Sequence, residues 1–224
     1  MLIAEDLLLL LVDDATGRFL VDSTKVDNVL AGAVLVELAT TERLGFPPEG
    51  SGVKRGRLVV VDPTPPGDPL LDRALATVAA SRPAQPEQLI ATLRKRLRAT
   101  LLERLSAAGA LRRSTRKVIG ILPCTTWPAA DSSHKRELRA DLQAVLVTGA
   151  TPDSRTAALV SLLAAVNAAH KVVDGDKKLV LARAKDIAAG DWAGDAVNKA
   201  IDAVNAGIAV IIAAGAATAG GSSS

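Results

Sequence analysis

The sequence predicts a mainly α, single globular helical domain with small β-hairpins, and three observations predict it. Apolar residues make up 49% of the 224, and long stretches repeat them at helical spacing. Aromatic side chains are confined to Phe19, Phe46, Trp127 and Trp192, so the core must be aliphatic, which favours helices packed through small residues. Short β-branched runs stand where glycine and proline punctuate the helical pattern.

The elements follow in order. "MLIAEDLLLLLVDD" lacks the positive start of a targeting signal, and its apolar run, Leu7 to Val12, is too short for a membrane span; residues 3–12 read as a buried helix stopped by "DDATG". A second helix covers about Val26 to Thr40, with Asp22, Ser23 and Thr24 as cap candidates. There Leu30, Val34 and Leu38 recur every four positions, and Gly32 and Ala33 permit close approach. Glu37 in that helix reads as a cap or salt-bridge residue. "RLVVVD", 57–62, reads as a strand of a small hairpin or ribbon, and "GSGVKRG" lacks the spacing of a phosphate-binding P-loop. Helices are expected over 68–81 and over 87–107, the latter opened by Pro86 and Glu87.

Farther on, Gly109 suits a helix C-cap, "KVIGIL" reads as a strand, and Trp127 anchors a loop. Another helix runs from about Ser133 to Val147. The last third is alanine-rich and helical, with Pro152 at a helix start, "DGDKK" as a turn and a break near Gly190. The late stretch 207–220 is too short to cross a membrane. Residues 1–219 thus form one domain, and 220–224 a disordered tail. The lone Cys124 excludes an intramolecular disulfide, and with only His134 and His170 no metal site or cofactor is expected. The balance is that of a soluble protein of a reducing compartment.

Charge is unevenly distributed. Between Arg94 and Arg139 twelve Lys and Arg face three acids, a net +9, while the rest of the chain sums to −6 of the total +3. In "LRKRLRATLLERL", Leu93, Leu97, Leu101 and Leu105 form a stripe about 120° wide on a helix. Arg94 and Arg98 border that stripe, Lys95 lies just beyond, and Arg96 faces away. Arg112, Arg113, Arg116 and Lys117 sit on the following hairpin or its approach and add an auxiliary basic surface.

Catalytic chemistry finds no frame. Ser132, Ser133 and His134 lack a nucleophile elbow. His170 reads as a satisfied packing residue in an alanine-rich helix, and Asp13 with Asp14 as a turn cap. Nucleic acid is not expected either, because no aromatic is interleaved with the arginines.

"AEDLLLLLVDDATGRF", "LAGAVLVELATTERL", "DPLLDRALATVA", "LRKRLRATLLERLSAAGAL" and "TTWP" occur in this order and spacing. This ordered set resembles the Golgi phosphoprotein three family, the thirty-four-kilodalton Golgi phosphoprotein domain, with the composition of a bacterial member. The resemblance implies a helical domain without catalytic activity. It further implies phosphatidylinositol 4-phosphate binding at a pocket made by a tryptophan and an arginine near the second helix and two basic residues on the later helix. The later pair falls on Lys95 and Arg98; the first falls near Asp22 and Ala31, where neither character is kept. Self-association through the hairpin at 112–122 is also implied. The resulting expectation is a cytoplasmic, peripheral membrane protein holding anionic phospholipid headgroups through Arg94, Lys95 and Arg98. A protein-interaction scaffold without lipid ligand stands second and nucleic-acid binding third.

Overall fold

Helix α1, Ile3–Leu11, runs through the middle of the fold with all nine residues buried, Glu5 and Asp6 among them. Two carboxylates in such a place need partners, because an unpaired buried charge is costly. The helix N-terminus favours negative charge there, and the rest of the chain supplies the cations. Arg104 Nε donates to Glu5 at 2.7 Å, while Arg155 at 2.6 Å and His134 Nε2 at 2.8 Å meet Asp6. Glu37 completes the cap, its Oε2 accepting from the Ile3 amide at 2.7 Å. The cap-or-salt-bridge expectation for Glu37 therefore resolves to a cap on another helix.

The computed structural model describes residues 1–48, 50–118, 122–190 and 195–220. Its helices continue with α2 (Ser23–Thr40), α3 (Pro69–Ala79), α4 (Pro86–Leu93), α5 (Leu97–Ala107), α6 (Ser133–Gln143), α7 (Ser154–Ala165), α8 (Lys177–Ala188) and α9 (Asp195–Gly220). Asp22, Asp68, Asp153 and Asp176 cap α2, α3, α7 and α8 by accepting from first-turn amides. Helix α1 packs against α2, α5, α6 and α7, and α9 lies across α2 and α4. One aliphatic core joins them all, which makes this a single helical domain.

Two antiparallel pairs complete the described fold. Strands β1 (Leu44–Gly45) and β2 (Val59–Val60) pair Leu44 with Val60. Strands β3 (Ser114–Val118) and β4 (Leu122–Thr126) pair Ser114 with Thr126. "KVIGIL" is thus not one strand: it spans the end of β3 and the start of β4, with 119–121 outside the described residues. Of the tail expected at 220–224, Gly220 is the last residue of α9, and 221–224 lie outside the described residues.

Three helices differ from expectation. The 87–107 helix is broken into α4 and α5 at Arg94–Lys95–Arg96, with Arg96 in the left-handed region at φ 61°. Neither glycine nor proline marks the break. The second helix begins at Ser23, three residues before the expected start, because Asp22 supplies the cap. Finally, α9 is 26 residues long, and its segment Val197–Gly215 is long and apolar enough to cross a membrane by length and composition. Its inner face is core: Ala200, Ile201, Val204 and Ile208 are buried. Gly32 of α2 permits that crossing, since a Cβ there would stand 2.5 Å from Ile208 Cδ1.

Candidate anion-binding cleft

The break between α4 and α5 builds the site. Because the chain turns at Arg94–Arg96 instead of continuing as helix, four consecutive-to-near cations are presented beside the first turn of α2. Arg94, Lys95, Arg96, Arg98 and Ala99 line a cleft of about 430 Å³ whose other wall is Thr24 and Asp27. Arg96, set aside in sequence as facing away, is therefore brought to the same cleft as the other three. The left-handed turn, which periodicity does not register, is the reason.

The four cations are not equally free. Arg98 is the most engaged. Its Nε lies 3.3 Å from Asp27 Oδ1, Nη1 donates to the Ser23 carbonyl at 3.3 Å, and its guanidinium stands 5.3 Å from the Phe19 ring centre. Arg94 donates to Oδ1 of the buried Asn28 at 3.2 Å. Lys95 and Arg96 are exposed and make no ion pair or hydrogen bond through their side chains among the described residues. Burial pushes the Asp27 carboxyl above its ordinary value, and Arg98 and Arg94 only partly counter it.

A larger groove of about 630 Å³ adjoins the cleft and shares Lys95 and Arg96 with it. Its apolar floor includes Leu70, Leu93 and Leu97, and Arg73 also stands along it.

The auxiliary basic residues fare differently. Arg112 and Arg113 are exposed, and the Arg113 guanidinium stands 6.0 Å from the ring centre of the half-buried Trp127. The Trp127 amide donates to the Gly17 carbonyl at 3.1 Å. Arg98 and Arg113 thus lean on one loop, through Phe19 on one side and Trp127 on the other. Arg116 and Lys117 pair with Cys124 and Pro123 in the backbone register, and their side chains lie outside the described residues.

The charge asymmetry of the sequence is in part an internal complementarity. Arg104 sits bidentate on Asp68 at 2.9 and 2.7 Å besides meeting Glu5. Lys135, buried, donates to the Val12 carbonyl and to Asp14, and Arg139 reaches the same carboxylate at 2.8 Å. With Arg98 on Asp27, four of the twelve cations are answered by acids from the first 70 residues.

Asp22 is exposed and committed to the α2 cap, and Ala31 is fully buried in the core, so neither lines this cleft. For catalysis, His134 is tied to Asp6. No group of three or more His, Cys, Asp or Glu that could hold a metal exists among the described residues.

Fold and cleft together define a mainly helical single-domain protein whose chemistry-bearing feature is a cation-lined cleft. The chain belongs to the Golgi phosphoprotein 3 (GPP34) family, whose model matches residues 3–204, from α1 into α9. No curated protein matches it.

Proposed function

We propose that the protein binds anionic phospholipid headgroups, phosphoinositide-like, at the α4–α5 break, and so associates peripherally with a membrane from the cytoplasmic side. The observation that carries this reading is the convergence of Arg94, Lys95, Arg96 and Arg98 on one open cleft, with Lys95 and Arg96 lacking a protein partner among the described residues. A phosphate group there accepts donors from several directions, and each cation near an anionic leaflet contributes about 1 kcal/mol. The family's name carries the Golgi with it, which agrees with membrane association in the broad sense. With Asp22 and Ala31 away from the cleft, the reading favours general recognition of phosphate over selection of one inositol phosphate.

Self-association through the β3–β4 hairpin belongs to the same proposal. A two-stranded sheet has open edges, and pairing them with a second copy would cover them. Sedimentation of the chain against a proline substitution at Thr115 tests it; an unchanged mass removes the hairpin from any interface.

Vesicle flotation tests the lipid reading. Recovery should be high on vesicles carrying phosphatidylserine or phosphoinositide and low on phosphatidylcholine, and should fall as salt rises. Equal recovery on neutral and anionic vesicles at both salt levels overturns it.

An acidic, apolar-flanked protein segment is the second reading. The groove beside the cleft favours it, since Leu70, Leu93 and Leu97 lie next to Arg73 and Arg96 there. A protein partner lost on charge reversal, without any vesicle effect, would select it.

A further inference from the structure

A second cleft, of about 290 Å³, opens on a neighbouring face of the same first turn of α2. Its lining includes Asp22 and Lys25 from α2, Asn167, then His170 and Lys171 from the 3-10 turn Ala169–Lys171, and Lys177 from the start of α8. None of its cations lies between Arg94 and Arg139. They come from the part of the chain whose charges sum to a net negative value, so no charge count along the sequence reveals them.

Two of these lysines break a local rule. Lys25 is the third residue of α2 and Lys177 the first of α8, positions where the helix dipole disfavours a cation and favours an anion. Neither first turn carries an acid beyond its cap. Departures of this kind from local preference are expected where a function requires them. Three lysines face one carboxylate in this cleft. Asp22 is already occupied, accepting from the Thr24 amide at 2.8 Å, and that bond holds its carboxyl below the usual range. Lys171 Nζ donates to the Leu20 carbonyl at 2.7 Å, which fixes it at the rim. His170 differs from the satisfied packing residue that its sequence setting predicts: its Nδ1 is buried and has no hydrogen-bond partner among the described residues.

We propose that this cleft is a phosphate subsite, in which Lys25, His170, Lys171 and Lys177 hold a phosphate group, free or carried on a lipid headgroup, beside the first turn of α2. The bound anion gains from three ammonium groups; the N-termini of α2 and α8 are already capped by Asp22 and Asp176, so the lysines supply the attraction. Together with the Arg94–Arg98 cleft it gives the end of α2 two anion-holding faces, and it stands whether or not the first cleft binds lipid.

His170 provides the readout. Burial, then Lys177 and Lys171, hold its imidazole below the ordinary histidine value, and Asp22 is the carboxylate facing the same space. An anion between the lysines reverses that field and raises it. The chain has one other histidine, His134, tied to Asp6, which serves as an internal control. Histidine ring signals are followed by NMR through a pH titration in inorganic phosphate and in chloride of matched ionic strength. The same protein is floated on phosphatidic acid and on phosphatidylcholine vesicles. The variant is K25E/K177E, which places carboxylates in two helix first turns where they are tolerated, so its circular dichroism should match the parent.

A phosphate-dependent rise for His170 alone, abolished in K25E/K177E, supports a subsite open to free phosphate. A variant loss of roughly tenfold or more on phosphatidic acid vesicles, without any effect of free phosphate, supports the lipid source. No response to either probe overturns the proposal. So does a parallel shift of His134, or a folded variant that responds like the parent.

Discussion

The Arg98 guanidinium lies 3.3 Å from the Asp27 carboxylate at the wall of the cleft, each side chain about 30% exposed. This pair sets how much of the cluster's charge is available to an anion. Replacing Asp27 by Asn should release Arg98 and raise recovery on anionic vesicles several-fold. Because burial raises the Asp27 pKa, the folded state binds the proton more readily than the unfolded chain. Asp27 therefore contributes most to stability at low pH, and that contribution diminishes as pH rises through its folded value. Binding by the parent should strengthen as pH falls toward that value, and D27N should lack this component. Flotation of both proteins across pH checks it; superimposable profiles would remove Asp27 from the site.

Reversal of Lys95 and Arg98 in K95E/R98E should reduce recovery on anionic vesicles while leaving the helical content unchanged. Lys95 has no partner to lose among the described residues, and Arg98 stands at the second position of α5, where a carboxylate is favoured. Undiminished flotation would exclude both residues. The matching reversal R112E/R113E should produce a smaller loss, since Arg113 lies over Trp127 and outside the cleft.

Arg96 holds a left-handed backbone at φ 61°, which costs a non-glycine residue about 1–2 kcal/mol. Glycine removes that strain and adds back part of it as unfolded-state entropy. Arg96→Gly should thus leave stability unchanged or raise it by about 1 kcal/mol while weakening anion binding modestly. The same change at Arg98, inside α5, should cost about 1 kcal/mol. Thermal melts distinguish the two; equal destabilisation would refute the break.

Arg104 joins Glu5 and Asp68, and its own pKa is pushed up by them. Arg104→Met leaves a buried Glu5 without its cation and should cost about 2–4 kcal/mol, nearer the lower figure because Arg104 is 33% exposed. The Arg104 bond holds the Asp68 carboxyl below its ordinary value, so its stabilisation is present above about pH 4 and is lost as pH falls through the lowered folded value. Acid unfolding followed by circular dichroism should therefore be less steep in R104M than in the parent.

Gly17 has φ 64°, and a Cβ there would stand 2.5 Å from the backbone nitrogens of Trp127 and Pro128. Gly17→Ala combines left-handed strain with a clash against main chain and should cost about 2–4 kcal/mol. Trp127 fluorescence should shift with it, because the Trp127 amide is bonded to the Gly17 carbonyl.

Helix caps and core stripes were legible residue by residue. Asp22 and Pro86 stand where their side-chain chemistry predicts; of the leucine stripe, Leu97, Leu101 and Leu105 are buried and Leu93, before the break, is half-buried, while the cap at Asp68 was not read. Arg94, Lys95 and Arg98 do share a cleft. The left-handed turn at Arg96 was not legible, because no residue type announces it and the leucine spacing runs through it unbroken. The role of Glu37 as a cap on α1 was equally hidden, since its partner lies 34 residues away.

Local periodicity, capping and composition determined that this chain is a helical domain with an aliphatic core, because those preferences act over a turn or two. Tertiary packing decided which charges remain free. It answered Arg104, Lys135 and Arg139 with acids from distant segments, left Lys95 and Arg96 exposed, and gathered Lys25, His170, Lys171 and Lys177 into one cleft. Electrostatic partners are chosen by distance in space, and a linear count of charges carries no such distances.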